Sequence, residues 1–279
     1  MKISKLNRLF AGALILAHVM FMSCDKNPSK PDQKAPVLPP ASSLNLDLNA
    51  FKSAGNLAKS NGDQSAVGLN FITAYSVVTI INASVTLMLS VPAYVFAAAI
   101  SQQPVLDPKD GKFHWVYTVT DTSGTALQAD LAGWIDQDGL ESRWEMRITA
   151  SRNNPPLNDF LWIAGRAALD NSSGYWDIYD AEKPATSAQA LHVDWQVPSA
   201  AQATLRFTAV DPASPDNGDQ LTYRAEGNLR GVTYFDKSDQ ETVEISWDEV
   251  THAGYLIAPG YNNGQKSCWD ELLNDVTCR

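Results

Sequence analysis

From Lys112 onward the chain alternates apolar and polar residues with a period of two, the signature of strands with one buried face. His114 to Val119 begins the pattern, a turn at Asp121–Gly124 follows, and Ala126–Ile135 continues it. The clearest strand is Glu141–Ala150. There Glu141, Arg143, Glu145 and Arg147 interleave with Ser142, Trp144, Met146 and Ile148. Further strands are read at 159–169, 175–180, 191–197, 204–209, 221–230, 231–235, 243–247 and 251–257. Turns rich in Asn, Asp, Gly and Pro separate most of them. Short connections make successive strands antiparallel neighbours. The expected fold is mainly β: an up-and-down meander of about ten strands curling into a barrel or half-barrel. One face would be apolar and the other charged.

The N-terminal half follows a different rule. Between Asp63 and Asp107 there is no charged residue, and Phe71–Ile100 is dominated by apolar side chains. The spacing predicts a helix over about 67–90 and a second over about 92–102, divided at Pro92 and capped by Ser90. The stretch is long enough to span a bilayer. However, Asn70, Thr73, Ser76, Thr79, Asn82, Ser84, Thr86 and Ser90 are scattered through it, and no cluster of Lys or Arg fixes an orientation. The expectation is a helical segment lying against the apolar face of the sheet, its hydroxyls bonded back to the helix backbone. Spanning a membrane, or lying exposed only when a ligand leaves, are the alternatives. Ahead of it, Leu44–Phe51 alternates weakly and reads as a short strand or a turn of helix, and Lys52–Ser65 reads as a loop.

The first 23 residues form a processing segment. Lys2, Lys5 and Arg8 make a positive start, and Leu9–Met22 is an apolar run too short for a comfortable span. Phe21-Met22-Ser23-Cys24 closes it. This resembles the lipobox of bacterial lipoproteins, with Ser23 and Cys24 at the matching positions and Phe21 standing where Leu is usual. The resemblance covers only this N-terminal stretch. It implies that Cys24 becomes the acylated mature N-terminus and that the body is held at a membrane of the cell envelope. The outer membrane is expected ahead of the inner, with the body in the periplasm or on the cell surface. An ordinary secretory signal is the other reading. Residues 24–43, with Pro28, Pro31, Pro36, Pro39 and Pro40, read as an extended tether to a single domain over 44–279. That domain would hold the helices, the meander over about 112–258 and a C-terminal segment over 259–279. In an oxidising compartment Cys268 and Cys278 are expected to pair.

Charge narrows the function. The chain carries −10, and losing Lys2, Lys5 and Arg8 with the leader makes it three units more acidic. Such a body repels phosphate backbones, so nucleic acid is not an expected partner. There is no Gly-x-Ser-x-Gly, no Gly-rich phosphate loop and no His-Glu-x-x-His. His192 and Asp194 share a strand face, as metal ligands could, but read as solvated. Asp211, Asp216, Asn217 and Asp219 lack EF-hand spacing and read as a turn, as do Asp136 and Asp138. Asp177 with Asp194 could in principle serve glycoside hydrolysis, but Asp194 alternates onto the wet face. No catalytic residue, metal or cofactor is expected, and the chain does not read as an enzyme.

All eight tryptophans follow the uncharged segment. Trp144, Trp195 and Trp247 alternate onto the apolar face. With Phe207 and Tyr223 they are the candidate lining of a cavity for a lipid or other hydrophobic ligand. Plain core is the competing assignment. In architecture alone the expected cup resembles lipid carriers and receptors of the LolA and LolB type, whose curved antiparallel sheet holds helices in its mouth. The two functions this leaves are a ligand-binding module and a structural or interaction protein whose barrel is filled by its own helix.

Overall fold

The computed structural model describes residues 34–46, 48, 51, 67–120 and 124–278, and Ala35 onward forms one compact unit. Fourteen antiparallel strands lie in one sheet in chain order, each hydrogen-bonded to the next. They are β1 (Val105–Leu106), β2 (Phe113–Thr120), β3 (Ala126–Ile135), β4 (Glu141–Ala150), β5 (Leu157–Ala168), β6 (Ser173–Tyr179) and β7 (Gln189–Ser199). The order continues through β8 (Gln202–Ala209), β9 (Gln220–Glu226), β10 (Leu229–Asp236), β11 (Glu241–Asp248), β12 (Gly254–Ile257), β13 (Ser267–Trp269) and β14 (Asp275–Val276).

The meander is the one the alternation predicts, with three corrections. Three short strands, β1, β13 and β14, are too brief for a period-two signal to register. Among the described residues the sheet also does not close into a barrel: β1 pairs there only with β2, and β14 only with β13. Closure requires end strands long enough to pair with each other, and these are two residues each. One turn also moved. Gly227, with φ +56°, and Asn228 join β9 to β10, so the chain reverses earlier than the 230/231 boundary read from pattern.

On β4 every second residue from Ser142 to Ala150 is buried, while Glu141, Arg143, Glu145 and Arg147 face outward. Outside, Arg143 pairs with Asp136 at 2.5 Å and Lys112 lies 3.9 Å over the Trp134 ring. Inside, tryptophans face glycines across strand pairs. Gly133 opposes Trp144, Gly165 opposes both Trp144 and Trp176, Gly174 opposes Trp195, and Gly254 opposes both Trp247 and Trp269. A Cβ on Gly133, Gly165 or Gly174 would come within 2.5 Å of the indole beside it, so each ring occupies the space a side chain would need.

The uncharged segment forms a single helix, α1 (Leu69–Ala98), running into a 3-10 turn at Ala99–Ser101. This corrects the expectation of two helices parted at Pro92. Pro92 sits inside α1, Ser90 is an exposed interior residue and not a cap, and the helix bends by 57° between its arms Leu69–Val85 and Met88–Ser101. A proline ring crowds the carbonyl four residues earlier, here that of Met88. The bend falls at that point and the chain stays helical. Neither arm alone is long and apolar enough to cross a membrane; the bent pair together meets the length and composition. Ser76, Thr79 and Ser84 donate to the carbonyls of Ile72, Tyr75 and Ile80, so these hydroxyls are satisfied within the helix.

Phe71, Ala74, Val78, Val85, Leu89, Val95 and Phe96 bury one face of α1. Its N-terminal end is held by the last strands. Gly68 N donates to Leu273 O at 2.8 Å, and the Asp275 carboxylate accepts from the backbone N–H groups of Leu69 (3.1 Å) and Asn70 (2.9 Å). The Asn70 amide donates to Cys268 O and its oxygen accepts from the Tyr261 hydroxyl. Near the other end Tyr117 Oη on β2 donates to Val95 O at 2.6 Å. Thus α1 reaches from the last strands to the first long one.

The N-terminal approach is also packed. Pro36, Pro39, Ser43, Leu44, Leu46, Leu48 and Phe51 are buried, and a 3-10 turn spans Ala41–Leu44. Trp176 Nε1 donates to Ser43 Oγ at 2.9 Å, and the Asn171 amide donates to the carbonyls of Val37 and Leu38. Residues 35–43 therefore belong to the body and not to the tether assigned from composition. A proline-rich stretch needs few backbone partners, so it can lie extended in a groove as readily as in water. Leu44, Leu46, Leu48 and Phe51 point inward, and Phe51 stands 4.7 Å from Trp247 and 5.6 Å from Phe71, ring centre to ring centre.

Candidate functional site

A cavity of about 730 Å³ lies between the middle of α1 and the ends of β7–β10. Register builds its floor. Phe207 on β8 pairs with Leu221 on β9, which pairs in turn with Tyr234 on β10, so the three side chains stand in a row on one face. Leu191 and Ala209, paired across β7 and β8, extend the row. The roof is one face of α1, with Val77, Ile81 and Val85 at helical spacing. Ile80 and Met88 stay 67% and 51% exposed and flank the opening. The volume suits a small organic molecule.

The rim is polar and acidic. Asp180 and Lys183 come from the β6–β7 loop, and Asp211, Asp216 and Asp219 from the β8–β9 loop. Lys183 Nζ lies 3.1 Å from Asp211 and 3.3 Å from Asp180. The backbone N–H of Ala213 and the Lys183 ammonium hold the Asp211 carboxyl below its ordinary range. Asp219 accepts from Tyr234 Oη at 2.5 Å and from Lys237 N at 3.0 Å. Loss of solvent and the neighbouring Asp219 push the Tyr234 phenol well above its ordinary value, so it remains a hydrogen-bond donor.

Of the five residues expected to line a cavity, Phe207 does so, and Asp211, Asp216 and Asp219, read from sequence as a turn, stand on the rim. Tyr223 is 3% exposed and lies outside its lining. Trp144, Trp195 and Trp247 are packed in the core away from it. Trp144 donates to Ser142 Oγ at 2.8 Å and packs 5.6 Å from Trp115. The indole N–H groups of Trp195 and Trp247 find no acceptor among the described residues. Cys24 lies outside the described residues. Cys268 and Cys278 are at disulfide distance, 2.11 Å between sulfurs.

His192 and Asp194 sit on the outer face. His192 Nδ1 is 2.6 Å from Asp177 and Nε2 is 3.2 Å from Asp194. His114 repeats the arrangement with Asp130 at 2.8 Å and Asp110 at 3.1 Å. For both, partial burial alone would lower the imidazole pKa, but the paired carboxylates outweigh it and raise it. Among the described residues no group of three or more His, Cys, Asp or Glu side chains converges as a metal site would require.

The acidic rim, and Leu191, Leu221 and Tyr234 beside Phe207 in the row, are not legible as a site in the sequence. The signals present were the strand alternation and a β8–β9 loop holding Pro212, Pro215 and four acidic or amide side chains. No protein-family model, no curated protein and no solved structure matches this chain.

Proposed function

We propose that this chain is a lipid-anchored protein of the cell envelope that binds a hydrophobic small molecule without transforming it. The observation that supports this is the cavity between α1 and β7–β10, apolar on floor and roof and open at Ile80 and Met88. The anchor is Cys24, acylated after export, and the acidic body stays in the periplasm or on the surface. In this reading the open sheet curves around α1 as a half-barrel, and the helix acts as a lid over the ligand. The likeness to LolA- and LolB-type carriers stays one of architecture.

One set of contacts favours a second reading. Leu44, Leu46, Leu48, Phe51 and the inward face of α1 already occupy much of the sheet's apolar face. That is what a self-filled interaction protein would need. Native mass spectrometry of the full chain, with an organic extract of the same sample, separates the two. A stoichiometric apolar molecule that protects 77–88 from hydrogen exchange supports the binding module. An empty protein, equally protected with and without added lipid, overturns it in favour of the self-filled fold. Cys24→Ser protein that still takes up labelled fatty acid would overturn the anchor.

A further inference from the structure

We infer that the cavity between α1 and β7–β10 selects an amphiphile with a cationic nitrogen head and an apolar tail. This rests on the cavity being a binding site, as proposed above. The argument is charge complementarity. The lining presents the carboxylates of Asp180, Asp211, Asp216 and Asp219 against Lys183, the one cation among the described lining residues. Lys183 is not free to greet an anion, because its ammonium lies between Asp180 and Asp211. The second cation nearby is Lys237, whose stem crosses Gly218 at the edge of the β8–β9 loop. Counting it still leaves the rim negative.

The polar groups are also segregated. The carboxylates lie along the β6–β7 and β8–β9 loops, whereas Leu191, Phe207 and Leu221 face α1 beneath. A tail inserted under α1 would therefore leave its head among the loops. Asp216 is exposed and makes no ion pair among the described residues, so it can approach an ammonium without giving up a partner. Asp219 is buried, its oxygens accepting from Tyr234 Oη and Lys237 N, so it adds to the negative field beneath the head without needing to touch it. A sulfate or phosphate head would meet like charge on two loops.

Three probes with the same dodecyl tail test this on the full chain in a non-ionic detergent: dodecyltrimethylammonium, dodecanol and dodecyl sulfate. Native mass spectrometry reads their occupancy. The expected result is a preference of about tenfold for the ammonium over the sulfate, the size of one or two partly screened charge contacts. That preference should shrink with added salt and vanish in the Asp180→Asn/Asp216→Asn variant, while dodecanol binding is unchanged. A Ser84→Trp variant, which sets a large ring at a position lining the cavity on α1, should exclude all three. Equal binding of the three probes, still abolished by Ser84→Trp, would overturn the head-group assignment and leave the cavity reading standing. Preference for the sulfate would overturn it as well. No binding of any probe, or binding indifferent to Ser84→Trp, would remove the cavity reading and this inference together.

Discussion

Asp275 offers the sharpest test of how α1 is held. Gly68 sits at the N-cap of α1 and has no side chain to supply a cap. The carboxylate comes instead from β14, some two hundred residues away in sequence, and takes the N–H groups of Leu69 and Asn70. Asp275→Ala removes both bonds and a negative charge from the positive end of a 30-residue helix. Loss of a cap costs about 0.5–2 kcal/mol, and loss of the charge at a helix start about 0.3–1 kcal/mol. These overlap, so a total of about 1–2 kcal/mol is expected. Urea unfolding at neutral pH, followed by tryptophan fluorescence, measures it, and hydrogen exchange at Leu69 and Asn70 locates it. The geometry makes a second demand. Asp275 lies inside the loop closed by Cys268 and Cys278, which fixes β14 beside β13. In a Cys268→Ser/Cys278→Ser background β14 is less tightly placed, and Asp275→Ala should cost less than half as much. Additivity of the two changes within about 0.5 kcal/mol would refute the idea that the bridge positions the cap. A cost below about 0.3 kcal/mol for Asp275→Ala with the bridge intact would refute the cap itself.

Gly174→Ala drives a methyl against the Arg166 carbonyl oxygen and the Trp195 ring and should cost about 1–3 kcal/mol in urea unfolding, whereas Gly260→Ala, with open space around it, should stay within about 0.5 kcal/mol. The imidazoles of His114 and His192 have folded pKa values raised above the ordinary 6.5. Their contribution to stability is therefore complete below that value and fades as pH rises through the folded pKa. Against a His114→Gln/His192→Gln control, wild-type unfolding free energy should fall on going from mildly acidic to mildly alkaline pH; a flat difference would sink the pairing. Removing the Cys268–Cys278 bridge should itself cost about 2–3 kcal/mol, given the short loop it closes, with the midpoint of urea unfolding as the measure.

The eleven longer strands, β2 to β12, could be read from the chain because each has one wet and one dry face, and that contrast writes itself into a period of two. Strands of two or three residues hold no period, so β1, β13 and β14 were invisible. Pro92 misleads a local reading for a related reason. Propensity says that proline ends a helix, but the flanking arms bury Phe71, Val78, Leu89 and Phe96, and that packing carries the helix through with a bend. Pro36 and Pro39 misled in the opposite way: composition marks extended backbone, not whether a groove awaits it. The cavity needed information that no local pattern contains. Its floor depends on the register of Phe207, Leu221 and Tyr234 across three strands, and its roof on where α1 lies over them. Phe207 was found because alternation alone put it inward. Trp144, Trp195 and Trp247 face inward too, but beside strand glycines whose missing side chains leave room for the rings.

The open sheet has a consequence for how this chain behaves in company. A sheet that does not close leaves two rows of backbone donors and acceptors unsatisfied at its margins, which invites a second copy to add a strand. Here each margin is a strand of only two residues, too short to template such an addition. On the C-terminal side that guard strand is stapled to its neighbour by Cys268–Cys278. Reduction would free it and bare β13, and behind it β12, to the next molecule. The bridge thus holds in place the strand that guards this edge, and light scattering of the protein with and without reductant should show edge-to-edge association rising once it is cut.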